Sequence, residues 1–132
     1  MVYELSDWQQ RARQQVFIEQ AIIGGRRVAA QSGATFAAIN PATGQVLAQV
    51  AACGEAEVEL AVRSARQAFE SGVWWQSSPS ERKQVLLRLA ELILAHRDEL
   101  ALLDSLNMGK PVMDAWNIDV PGAAGVFRWY AE

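Results

Sequence analysis

The sequence predicts an α+β chain: an N-terminal helix, a small antiparallel β unit over residues 20–52, and mainly helices thereafter. Two observations carry this. Apolar residues recur at helical spacing before residue 17 and again after residue 54. Between those stretches, short apolar runs flank Gly24-Gly25 and then Asn40-Pro41-Ala42-Thr43-Gly44, both of which are turn signals. With 51% apolar and 20% charged residues in 132, the chain has the composition of a globule rather than of a disordered segment.

Ser6 is the expected cap of the first helix, with Leu5, Trp8, Ala12 and Val16 on its docked face. Residues 1–10 are polar and do not read as a secretory leader. Ala21 to Ile23 and Arg26 to Val28 form a hairpin, because a two-residue Gly-Gly turn suits the positive φ of a primed turn. Arg26 and Arg27 then sit on a solvated edge. Thr35 to Ile39 and Gln45 to Ala51 form a second strand pair. Asn40 is held extended by Pro41, and Gly44 takes the left-handed position.

After Gly54, one helix carries the stripe Val58, Ala61, Val62, Ala65, Ala68 and Phe69 and stops at Gly72. Ser78-Pro79-Ser80-Glu81 starts the next, with Ser78 as cap and Pro79 at the first helical position. Its expected apolar face is Val85, Leu86, Leu89, Leu92 and Ile93. Asp98 starts a further helix closed by Gly109. Pro111 opens the last one, in which Val112, Trp116, Val120, Ala123, Phe127 and Tyr130 make one stripe. Pro121 lies inside that stripe, removes a backbone donor and predicts a kink.

Little chemistry is visible. There is no Gly-x-Gly-x-x-Gly, and Gly109-Lys110 is followed by Pro111, which excludes a Walker loop. One cysteine and one histidine cannot build a structural zinc site. Cys53 fits a buried or half-buried structural position, with a reactive thiol as the alternative, and its being single suits a reducing compartment. His96 falls in a last helical turn, where a cation favours the dipole; a catalytic base is the alternative. Trp74 and Trp75 read as core anchors or as a partner interface. Asp114 and Asp119 are five apart and share no face. Asp119 reads as exposed, or as lining a cavity beside the Pro121 kink. The net charge of −3 carries no basic run, so nucleic acid is not an expected partner. No apolar run reaches the roughly 18 residues of a membrane span.

Taken in order, Ile23-Gly24-Gly25, Asn40-Pro41-Ala42-Thr43-Gly44 with Val46 and Val50, Ala61-Val62 with Ala65-Arg66 and Ala68-Phe69, Trp74 or Trp75, and Arg82 form one pattern. It continues with Leu89-Ala90, Leu92-Ile93, Glu99-Leu100-Ala101, Gly109-Lys110-Pro111 and Arg128-Trp129-Tyr130-Ala131. From about Gln20 to Glu132 this resembles the N-terminal portion of the NAD(P)-dependent aldehyde dehydrogenase superfamily. Ser77-Ser78-Pro79, Asp119-Val120-Pro121-Gly122-Ala123-Ala124 and Trp8-Gln9 are most similar to the branch that oxidises γ-glutamyl-γ-aminobutyraldehyde in putrescine catabolism.

The resemblance implies an α/β parent enzyme, with residues 1–132 forming the N-terminal part of its dinucleotide-binding domain. The catalytic domain and most of the oligomerisation domain would then lie outside this chain. It also implies a cytoplasmic homo-oligomer, dimer or tetramer, using NAD or NADP to oxidise an ω-amino-aldehyde derivative through a cysteine thioester. The family's nucleophile, base, oxyanion asparagine and cofactor loop correspond to positions beyond Glu132, so no catalytic or cofactor-binding residue is expected here, and the isolated chain is expected to be inactive and to bind no cofactor. Two lesser roles carry over. Ile39 and Asn107 correspond to a monovalent-cation site, although Asn107 stands where many relatives have a carboxylate and could simply prepare the helix end at Gly109. Asp119, Pro121 and Gly122 correspond to the mouth of the aldehyde channel. The reading from another class is a naturally short, non-catalytic interaction or structural module.

Overall fold

A computed structural model describes residues 4–132. The expected element order is present: α1 (Leu5–Gln14), β1 (Ala21–Ile23), β2 (Arg26–Val28), β3 (Thr35–Ile39), β4 (Val46–Ala51), α2 (Glu55–Glu70), α3 (Pro79–Ala95), α4 (Arg97–Met108), α5 (Val112–Asp114) and α6 (Val120–Ala131). A π-helical turn, Ala115–Asp119, joins α5 to α6. The chain divides into a mainly helical unit of residues 4–16, 40–45 and 79–132, and a second unit of residues 17–39 and 46–78.

In the second unit the β residues make two separate antiparallel ladders. β1 and β2 pair in the register Ala21↔Val28, Ile22↔Arg27 and Ile23↔Arg26. Gly24 and Gly25 between them have φ of 56° and 74°, the primed geometry that a side chain resists. β3 and β4 pair from Thr35↔Ala51 to Ile39↔Val46, with an irregularity between Ala38 and Ile39. The start of α2 is held by Glu57, which is buried. Its Oε2 accepts the Gly54 N–H at 2.8 Å and its Oε1 accepts the Gln31 N–H at 2.9 Å. The Gly54 bond, then the Gln31 bond, hold this carboxyl below the ordinary glutamate value, against a smaller opposing effect of burial.

In the helical unit α3 packs on α6, α4 packs on the π turn, and α1 rests on α4. Lys83 near the start of α3 reaches Glu132 after α6 at 2.7 Å, so the two helices run antiparallel. Their packed side is built from small residues: Ala90 and Ala124 are buried. Ala101, Ala115 and Val120 form the core cluster, with Ile93, Val112 and Trp116 packed on it.

Several expectations need correction. Ser6 is not the cap; the cap lies two residues earlier, at Glu4, and α1 begins at Leu5, with Glu4 and Asp7 making a reciprocal capping box. Residues 1–3 of the polar leader lie outside the described residues. α4 starts at Arg97 rather than Asp98, so His96 sits at its N-cap and not in a last turn. His96 Nδ1 is 3.5 Å from Glu99 on the same helix. On α3 the side turned inward holds Leu86, Leu87, Ala90, Ile93 and Leu94, while Val85, Leu89 and Leu92 are exposed. Trp74 and Trp75 are not core anchors, being 48% and 53% exposed. The Trp75 indole instead donates to the Phe69 carbonyl at 2.8 Å, tying down the chain just past α2. Cys53 is exposed rather than half-buried.

α4 ends on Gly109, whose φ is 74° and whose N–H donates to the Ser105 carbonyl at 2.9 Å. A Cβ there would lie 2.9 Å from Cγ of Pro41, a ring that cannot swing aside. Gly109→Ala is therefore expected to weaken the helix end by about 1–2 kcal/mol from the left-handed backbone alone. Amide exchange at that N–H should rise roughly 5- to 30-fold. Unchanged exchange would contradict it.

Candidate functional site

Pro111 takes an extended backbone and leads into α5, whose first bonds run back to its carbonyl. After one turn the register widens: the Val120 N–H donates to the Ala115 carbonyl, a five-residue step. The helix then resumes its ordinary pitch, with Pro121 in the first turn of α6. Pro121 therefore lies inside one continuous helical segment, as expected, directly after the widened turn. That turn shifts the hydrogen-bond register at the residue preceding the proline.

Both ends of the turn are anchored. Lys110 donates its ammonium to the Asp119 carboxylate. That hydrogen bond raises Lys110 above the ordinary lysine value; partial desolvation opposes it, and the charges of Asp119, Asp104 and Asp114 add to it. The Lys110 carbonyl accepts from Ser105 Oγ at 2.7 Å, which fixes the loop that carries the ammonium. On the other side, Arg97 Nε donates to the Trp116 carbonyl at 2.6 Å, and its guanidinium carbon lies 3.4 Å from the centroid of the Trp116 ring. The Trp116 indole donates to Asp98 at 2.8 Å, and Asp98 lies 3.4 Å from Arg11 of α1.

Asp119, Pro121 and Gly122 thus lie together on one continuous helical segment. Asp119 and Pro121 are half-buried and Gly122 is exposed. Ile39 and Asn107 belong to different units. Ile39 is the last paired residue of β3, beside the register irregularity. Asn107 is exposed, and its side-chain amide donates back to the Leu103 carbonyl at 2.9 Å. Among the described residues no group of three or more His, Cys, Asp or Glu could hold a metal ion. No helix among them is long and apolar enough to cross a membrane.

Sequence reasoning missed Arg97, Glu57 and the Lys110 partner of Asp119. Glu57 had a signal, an acid three residues after Gly54 at a helix start. Arg97 had none, since its partner is 19 residues away on another element.

The aldehyde dehydrogenase family model matches residues 28–132. Among curated proteins, the chain is 50% identical over 114 residues to the aminoacetaldehyde dehydrogenase of Pseudomonas aeruginosa, covering 86% of this chain and 23% of that one. It is 41% identical over 130 residues to the NADP/NAD-dependent aldehyde dehydrogenase PuuC of Escherichia coli, covering 98% of this chain and 26% of that one. Among solved structures, the γ-glutamyl-γ-aminobutyraldehyde dehydrogenase of Burkholderia cenocepacia superposes with a TM-score of 0.94 at 47% identity, covering 98% of this chain and 26% of that one. The chain therefore spans about a quarter of the length of these relatives. With the family pattern running through both units, from β2 to the end of α6, the chain belongs to the aldehyde dehydrogenase family.

Proposed function

We propose that residues 1–132 are the N-terminal part of the dinucleotide-binding domain of a longer, cytoplasmic, homo-oligomeric aldehyde dehydrogenase, which oxidises an ω-amino-aldehyde derivative to a carboxylate. The observation that carries the substrate class is the agreement of two relatives, one named for aminoacetaldehyde and one for γ-glutamyl-γ-aminobutyraldehyde. Both substrates carry nitrogen on the aldehyde chain. NAD or NADP would accept the hydride, in keeping with the name of a third relative. The chain has no glycine-rich loop opening a helix, and we assign none of its residues to the dinucleotide. The carbonyl carbon would be attacked by a cysteine beyond Glu132, passing through a thioester that water cleaves.

The part played by this chain is to shape the approach to the aldehyde. The π turn and Pro121 set Gly122 and Gly125, three residues apart and so on one side of the helix, where a Cβ at either would meet no atom within 4 Å. Lys110 neutralises Asp119, so Asp119 serves as the anchor of the turn rather than as a free charge for a substrate ammonium. Pro121→Ala in the full-length enzyme is expected to change KM for bulky aldehydes several-fold while leaving KM for the dinucleotide unchanged. A mutation that removes aldehyde binding shared equally by the ground and transition states raises KM and spares kcat. A changed cofactor KM with constant aldehyde KM across a size series would refute the channel assignment.

A further inference from the structure

The Trp116 carbonyl occupies an unusual place in the helix. In an ordinary α-helix its donor is the Val120 N–H, four residues on. Here that N–H is spent on Ala115. In the wider π register the donor passes to residue 121, and Pro121 has no N–H. Both ladder donors are therefore withdrawn from one carbonyl, within the packed side of the segment: Ala115 and Val120 on either side are buried. A backbone carbonyl so placed requires another partner. Arg97 supplies it through Nε at 2.6 Å, as a charge-assisted bond, with its guanidinium carbon over the ring of the same residue, 3.4 Å from the centroid.

We infer that Arg97 is a positioning residue: it replaces the ladder donor that Pro121 withholds from the Trp116 carbonyl, and so holds the π turn that sets Asp119, Pro121 and Gly122. Arg97 and Pro121 then form a coupled pair, each explaining the other. Only an arginine does both tasks at once, since lysine lacks the planar group that covers the indole. The link from this turn to aldehyde binding rests on the channel reading above; the link from Arg97 to the turn does not.

The test is a double-mutant cycle in the full-length dehydrogenase, using Arg97→Ala, Pro121→Ala and both together. Two readouts are taken: exchange of the Val120 amide, and aldehyde KM beside cofactor KM. Arg97→Ala alone is expected to speed Val120 exchange by about tenfold, the loss of one charge-assisted bond. In the Pro121→Ala background the restored N–H serves the carbonyl, and Arg97→Ala should change exchange by less than about twofold. Equal effects in both backgrounds, or no effect of Arg97→Ala, overturn the inference. Arg97→Lys and Arg97→Gln run the same cycle if the alanine variant fails to accumulate, and either is expected to fall between wild type and alanine. If exchange follows the expected cycle while aldehyde KM never moves, the role of Arg97 stands and the channel reading falls.

Discussion

A purified protein of these 132 residues will reduce no NAD+ or NADP+ with any aldehyde. Its one thiol, Cys53, is exposed between β4 and α2. It sits two residues past a strand end, beside Gly54 and Glu55, with no histidine within forty residues in sequence to act as its base. The magnitude is decisive. Loss of a single oxyanion donor lowers kcat by roughly 10²–10³. On the function proposed above, the nucleophile, the base and the oxyanion group all fall outside these 132 residues. Dinucleotide reduction is followed against a protein-free blank, with the preparation checked by mass. Turnover above that blank would overturn the assignment of all chemistry to the rest of the enzyme.

The same protein is expected not to unfold as a cooperative monomer. Ten apolar residues are buried among those described, and seven of them are alanine, so the core contains little area per residue. Large side chains lie outside it: Val58, Val62 and Phe69 on α2, Val85, Leu89 and Leu92 on α3, Trp129 and Tyr130 on α6. Fully covering a large aliphatic or Phe side chain is worth about 1.5–3 kcal/mol, so leaving so many uncovered removes more than the few kcal/mol by which a small domain is stable. Two-stranded hairpins add little on their own. Sedimentation and thermal melts at several concentrations should show self-association and a broad transition that shifts with concentration. A sharp transition, independent of concentration, from a strict monomer would contradict this.

Local backbone demands were readable from the residues. Gly24-Gly25, Gly44 and Gly109 stand where φ is positive, and Pro79 stands at a helix start, because those conformations restrict residue type whatever packs around them. Facing was not readable. α3 carries apolar residues over most of its circumference, so the helical period could not choose between the Leu86–Ile93 side and the Val85–Leu92 side. Trp74 and Trp75 misled for a related reason: size favours burial, but only where an element exists to cover them. At the candidate site Pro121 was conspicuous and the π turn was not. A proline announces a missing donor, whereas the widened turn is held by partners distant in sequence, here Arg97 on α4 and Lys110 in the loop after it.

The alanines at the centre of the helical unit have an evolutionary consequence. Ala90, Ala101 and Ala115 are wholly buried and Ala124 nearly so. Each is a methyl group with almost no exposed surface, so any atom added to it must displace a neighbour. Where large residues meet, a loss at one position can be made good by a gain opposite. A buried methyl has no volume of its own to give up, so an added branch must be taken up entirely by its neighbours, at Ala101 and Ala115 by Val120, Ile93, Val112 and Trp116. These four positions should drift far less than their small, unreactive side chains would suggest, and sequence change in this segment should instead collect on the exposed sides of α2 and α3, wherever the surfaces that cover them change in step.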